Sequence, residues 1–206
     1  MTVTEIKPRR KGIVAVIADG EEYLLNSETV AAAGIKEKSV LTEAEMKKLC
    51  LLSECDRAKS RALWYLSRAD HSRRALHTKL CRNFSCEAAE YATSRMEELG
   101  LVDDMRYARR LAENLCAANI SQKEIERKLF VKGVPRDIIR EVVADLSPDT
   151  AGQIAELLRT KYKNRLSSED GVKKVYAALI RKGFSWSDVK AALKNYSENL
   201  ENCEEY

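Results

Sequence analysis

Asp103 and Asp104 stand side by side in the stretch LVDDMRYARRLAENL. Adjacent carboxylates can hold a divalent cation or pass protons, but either role needs further oxygen or nitrogen ligands converging on the pair. The chain has no second acidic cluster at a recognisable spacing. Helix initiation accounts for both residues instead, because they follow Gly100, where one helix must end and another begin. An aspartate at that point accepts hydrogen bonds from the free amides of the first turn, and its charge matches the positive end of the helix dipole. Asp103 and Asp104 are therefore read as a structural helix cap.

Thiols and imidazoles are the next candidates. Cys50/Cys55 and Cys81/Cys86 are both C-x4-C pairs, and His71 and His77 lie between them. A zinc knuckle places two thiolates on one tight turn through C-x2-C, a spacing found nowhere here. The cysteines read as small helix residues, with reduced thiols expected. Nucleophile elbow, phosphate-binding loop and dinucleotide fingerprint are all missing from the sequence, and neither histidine has a paired nucleophile. The expectation is a protein that is not an enzyme, with no metal and no cofactor.

What remains is positive charge. Arg68, Arg73, Arg74, Lys79 and Arg82 gather in one segment; Arg106, Arg109, Arg110 and Lys132 occupy the next. Lys161, Lys163, Arg165, Lys173, Lys174, Arg181 and Lys182 crowd a third. A solvated helix face explains any single one of them, with Arg109 pairing Glu113 at i,i+4. The third segment is different, because residues 149–194 hold ten lysines and arginines against five acids. That density points to a polyanionic partner.

The elements that carry these bases follow from composition. In 206 residues there are three prolines, eight glycines and 6% aromatics, while helix formers dominate after residue 40. The fold class is mainly α. No apolar run of signal or membrane-spanning length appears, so the chain is expected in the cytoplasm, off the membrane and as a monomer. The first fifth differs: GIVAVIADGEEYLLN alternates like strands around Asp19-Gly20, a strong signal for a hairpin turn. SETVAAAG then reads as a short helix capped by Ser27 and ended by Gly34. Thr42 and Glu45 form a T-x-x-E capping box that opens a long helical stretch.

From there the chain nearly repeats itself. SRRALHTKLCRNFSCEAAEYATSRMEEL, SQKEIERKLFVKGVPRDIIREVVADL and GVKKVYAALIRKGFSWSDVKAALKNY align. Each opens on a small residue (Ser72, Ser121, Gly171) ahead of a leucine (Leu80, Leu129, Leu179), and the leucines recur at a period of about 50 residues. Each unit reads as three helices, with Lys132-Gly133 and Lys182-Gly183 ending the middle one; the first unit lacks that glycine. The expected domains are a hairpin appendage over 1–40, a linking helix over 41–56, and repeats over 57–100, 101–147 and 148–197. An acidic tail over 198–206 completes the chain.

These residues resemble the RecX family of bacterial recombination regulators. ALWYLSRADHSRRALHTKL is similar to its A-L-x-x-L-S-x-R…S-x-x-E-L-x-x-K-L pattern at Ala62, Leu63, Leu66, Ser67, Ser72, Lys79 and Leu80, with Arg68 one place before the pattern's arginine. Ala75 replaces the usual glutamate. Gly100-Leu101-Val102-Asp103-Asp104 with Tyr107-Ala108 completes the G-[LI]-[IV]-D-D-x-x-[FY]-A signature, and the likeness spans residues 56–196. The resemblance implies an elongated, curved array of three tandem three-helix units. It also implies a partner, the RecA–DNA nucleoprotein filament, whose growth, ATP hydrolysis, strand exchange and stimulation of repressor cleavage the protein opposes. Weak direct binding to single- or double-stranded DNA is compatible with it. The contrasting expectation is a DNA-binding module of helix-turn-helix-like repeats, which would hold naked duplex in a strongly salt-dependent way.

Overall fold

Val3, Ala18 and Leu25 alternate with exposed or half-buried neighbours and share a core with Val16, and this pattern builds the N-terminal sheet in a computed structural model of the chain. The structure describes residues 1–9, 12–146 and 149–204, the last seven by their backbone alone, so the side chains of the acidic segment over 198–206 lie outside the described residues. The described residues divide into two units, Met1–Asp103 and Asp104–Tyr206.

In the first unit, β1 (Val3–Pro8), β2 (Ile13–Ala18) and β3 (Glu21–Asn26) form one antiparallel sheet in the order β1-β2-β3. The β2–β3 turn is the Asp19-Gly20 pair, with φ of 48° and 87°, as a primed two-residue turn requires. The third strand, β1, is an addition to the expected hairpin; VTEIKP has weak alternation and gains its place by pairing with β2. Helix α1 (Ser27–Ala32) ends at Gly34 with φ 64°, but Ser27 is not its cap. Asn26 holds the cap position without a capping side-chain bond: its side-chain amide donates to the Ser53 carbonyl at 3.4 Å, and its main-chain N–H donates to Ser53 Oγ at 2.7 Å. That bond ties the sheet to α2, where Ser53 is buried.

Helix α2 runs unbroken from Glu43 to Leu66, through the expected boundary between linking helix and first repeat. Thr42 and Glu45 form the reciprocal capping box at its start. Helix α3 (Arg73–Leu80) and helix α4 (Cys86–Glu98) take Ser72 and Ser85 as caps. Leu76, Leu80, Ala89, Ala92 and Met96 fill the core between α2, α3 and α4. The α3–α4 turn has no left-handed residue, which is how it closes without a glycine.

The second unit holds α5 (Asp104–Ala117), α6 (Gln122–Val131), α7 (Arg136–Asp145), α8 (Thr150–Thr160), α9 (Glu169–Arg181) and α10 (Trp186–Glu204). A 3-10 turn, Lys163–Arg165, separates α8 from α9. Asp103 directly precedes α5 and Asp104 is its first residue, the two positions a cap pair occupies. Two further cores form here, one from α5, α6 and α7 and one from α8, α9 and α10. Leu80, Leu129 and Leu179 are each 0% exposed, so the periodic leucine is the same core plug three times. The openers differ, however. Ser72 and Ser121 cap α3 and α6, whereas Ser168 caps α9 and Gly171 lies inside that helix.

Candidate nucleic-acid interface

The fate of each positive side chain depends on which carboxylates or carbonyls its fold brings within reach. Arg73 sits between two helices: its guanidinium bonds Glu90, Ser94 and, at 3.0 Å, Glu97, locking α3 against α4. Arg109 pairs with Glu141 of α7 at 3.3 Å rather than with Glu113. Lys173 is held by Glu169 one turn away at 2.9 Å. Lys182 is the most committed, its ammonium donating to the carbonyls of Ala118 at 2.9 Å and Asn119 at 3.2 Å where α5 ends. Burial, followed by the charges of Lys161 and Lys128, pushes its pKa down. Lys182 is thus a C-terminal cap supplied by another repeat.

Other bases stay at the surface. Arg74, Arg82, Lys163, Arg165 and Lys174 are exposed and meet no carboxylate among the described residues. Arg110 and Lys132 are exposed as well. Lys161 lies 5.8 Å from the Tyr162 ring, Lys79 is over Tyr65 at 5.2 Å and 3.1 Å from His71 Nε2, and Arg181 donates back to the Ala177 carbonyl. Cys81 and Cys86 place their sulfurs 4.0 Å apart beside His77. Among the described residues no three ligating side chains are arranged to hold a metal ion.

A group of which charge counting found only Arg68 emerges along α2 and the turn that follows it. Arg57, Arg61 and Trp64 recur at i, i+4 and i+7 on one face of α2, and Arg68 follows in the turn after its C-cap Ser67. Trp64 is 43% exposed, an unusual state for an indole, and two guanidiniums flank it: Arg68 at 4.2 Å from the ring and Arg61 at 5.3 Å. None of the three arginines meets a carboxylate among the described residues, in contrast to Arg73, Arg95, Arg109, Arg127 and Arg159. The Nε of Arg57 is buried with no hydrogen-bond partner among the described residues. A cleft of about 840 Å³ runs beside the face, lined also by Ser60 and Arg95. Arginines stacked on an indole keep their N–H edges for phosphate while the ring presents a surface for a base. The signal was present in RAKSRALWYLSR, where a tryptophan stands among three arginines at helical spacing.

The paired bases make a separate prediction. Arg73 holds the Glu90 carboxyl below its ordinary 4.5, first through their hydrogen bond. A carboxylate whose folded pKa is depressed adds stability above its unfolded pKa and loses it as pH falls through the folded one. Arg73→Met should therefore cost up to about 1 kcal/mol at pH 7, the scale of a partly exposed pair. In thermal unfolding the gap from the unsubstituted protein should narrow as pH drops below about 4.5. An undiminished gap in acid would show that Arg73 acts by packing alone.

No protein-family model matches the chain. Curated relatives do. It is 28% identical over 212 aligned positions to the regulatory protein RecX of Clostridioides difficile strain 630, covering 100% of this chain and 98% of the relative. To the regulatory protein RecX of Prosthecochloris aestuarii it is 30% identical over 150 positions, covering 71% of this chain and 98% of the relative. A crystal structure of a regulatory protein RecX superposes with a TM-score of 0.63 at 21% identity, covering 94% of this chain and 98% of that one. RecX from Lactobacillus salivarius gives 0.55 at 21%, over 69% and 96%. The two structures share the fold of this chain.

Proposed function

Because this chain belongs to the RecX family of regulatory proteins, we propose that it regulates recombination by binding the RecA–DNA filament and opposing RecA's ATP hydrolysis, strand exchange and stimulation of repressor cleavage. The observation that carries the reading is full-length similarity to regulatory proteins, 100% of this chain against 98% of the relative. The α2 face supports it physically. Three arginines without carboxylate partners and an exposed indole suit a negatively charged backbone carrying accessible bases. Regulation of this kind needs adhesion and obstruction, and no bond in any partner has to be made or broken by the chain itself. No described helix is long and apolar enough to cross a membrane.

The test is DNA-dependent ATP hydrolysis by purified RecA with this chain added at near-stoichiometric amounts. The rate should fall as the chain is titrated in. An unchanged rate would sink the reading. The same α2 face also favours a second one, a DNA-binding module that acts without RecA. Affinity for naked DNA and for the filament, compared across salt, separates them: preference for the filament supports regulation, and equal binding supports the module.

A further inference from the structure

The second unit carries a cleft that the α2 face does not touch. It opens between α6, α7 and the α9–α10 turn and encloses about 620 Å³, room for one large side chain and part of its backbone. Its apolar lining comes from Phe130, Ile139, Ile180 and Phe184. Phe130 and Ile180 remain 49% and 38% exposed, although both belong to otherwise well-packed helices. The wall is preformed. Gly183, at φ 89°, seats the α9–α10 turn so closely on the start of α6 that a Cβ there would lie 2.3 Å from Ser121 Oγ.

The rim is positive. Lys123, Arg136 and Arg140 meet no carboxylate among the described residues, and Arg136 lies 5.4 Å from the Phe130 ring. The acid Glu124 does not offset them, because Arg127 engages both its oxygens at 2.7 Å. Glu126 is the remaining acid on the lining. An occupant complementary to both features must be anionic at the edges and apolar at the centre. Nucleic acid fits this poorly, because the aliphatic Ile139 and Ile180 offer no stacking surface for a base.

We propose that this cleft docks an acidic protein segment bearing one large apolar side chain. The apolar side chain fills the space against Phe130 and Ile139, and flanking carboxylates pair with Lys123, Arg136 and Arg140. Contacts of this type give orientation and salt sensitivity through the rim and affinity through the buried anchor. The proposal is independent of the RecA reading, since peptide capture and ATPase inhibition are separate measurements.

The test uses the full chain and a fluorescein-labelled peptide with one phenylalanine between runs of glutamate and aspartate, followed by anisotropy. Saturable binding is expected, weakened about tenfold or more when alanine replaces the phenylalanine and when Arg136→Glu and Arg140→Glu are combined. Both arginines are exposed, so circular dichroism should report an unchanged fold. The double variant should in turn prefer the same peptide with lysine in place of its acids. Three results would overturn the proposal: no saturable binding, binding indifferent to the two reversals, or displacement of the peptide by an oligothymidylate.

Discussion

Gly171→Ala should destabilise the second unit by about 3 kcal/mol and lower Tm by roughly 10 °C, although the substitution favours helix in the abstract. Alanine in place of glycine inside a helix ordinarily gains ~1 kcal/mol. Here a Cβ would lie 1.8 Å from the carbonyl oxygen of Arg165 and 2.9 Å from its carbon. Both atoms are main chain, so no rotamer change relieves the clash. Either the 3-10 turn moves away from α9, or α9 lifts off the core that Val175 and Leu179 fill. Each alternative opens buried surface, and overpacking costs of that size exceed the propensity gain. Thermal unfolding followed by circular dichroism measures the outcome. A Tm equal to or above that of the unsubstituted protein would show that the α9 start tolerates a side chain.

Gly171 also marks where sequence reasoning reaches its limit. The period of Leu80, Leu129 and Leu179 is legible because each leucine plugs a local three-helix core, and local spacing sets which residue that is. Ser72 and Ser121 are legible as openers because a capping side chain bonds an amide only three residues on. Gly171 aligns with them but is small for another reason, the approach of the Arg165 carbonyl, which no pattern within α9 encodes. Strand β1 escaped in the same way, since its weak alternation is rescued by β2 across the sheet.

The charged surface follows this rule too. Counting bases located the dense segments but not their partners. Arg73 meets Glu90 across 17 positions, Arg109 meets Glu141 across 32, and Lys182 reaches the end of α5 across more than 60. Such distant carboxylates and carbonyls decide which cations remain at the surface. Arg61 belongs to the exposed face and the half-buried Arg57 borders it, yet both stand in a segment whose Trp64 invites reading as core. An aromatic residue in a helix is assigned to the interior unless the faces of that helix are known, and the faces of α2 depend on how α3, α4 and the sheet divide its circumference.

The α2 face makes the strongest functional prediction, because its two kinds of side chain should fail differently. If the α2 face meets nucleic acid as proposed, Arg61→Glu combined with Arg68→Glu should remove two phosphate contacts. The log–log dependence of filament affinity on salt should become shallower by about two, since each contact releases close to one counterion. At low salt the loss should be severe and inhibition of RecA should disappear. Trp64→Ala removes a stacking surface worth ~1–3 kcal/mol and no charge. Its affinity should drop about tenfold or more while the salt slope stays that of the unsubstituted protein. All three side chains are exposed, so helix content and Tm should be nearly unchanged. Titration of fluorescent RecA–DNA filaments at several salt concentrations reads both quantities. If the double reversal leaves slope and affinity as they were, the bases of α2 are a solvated face and the filament is met elsewhere.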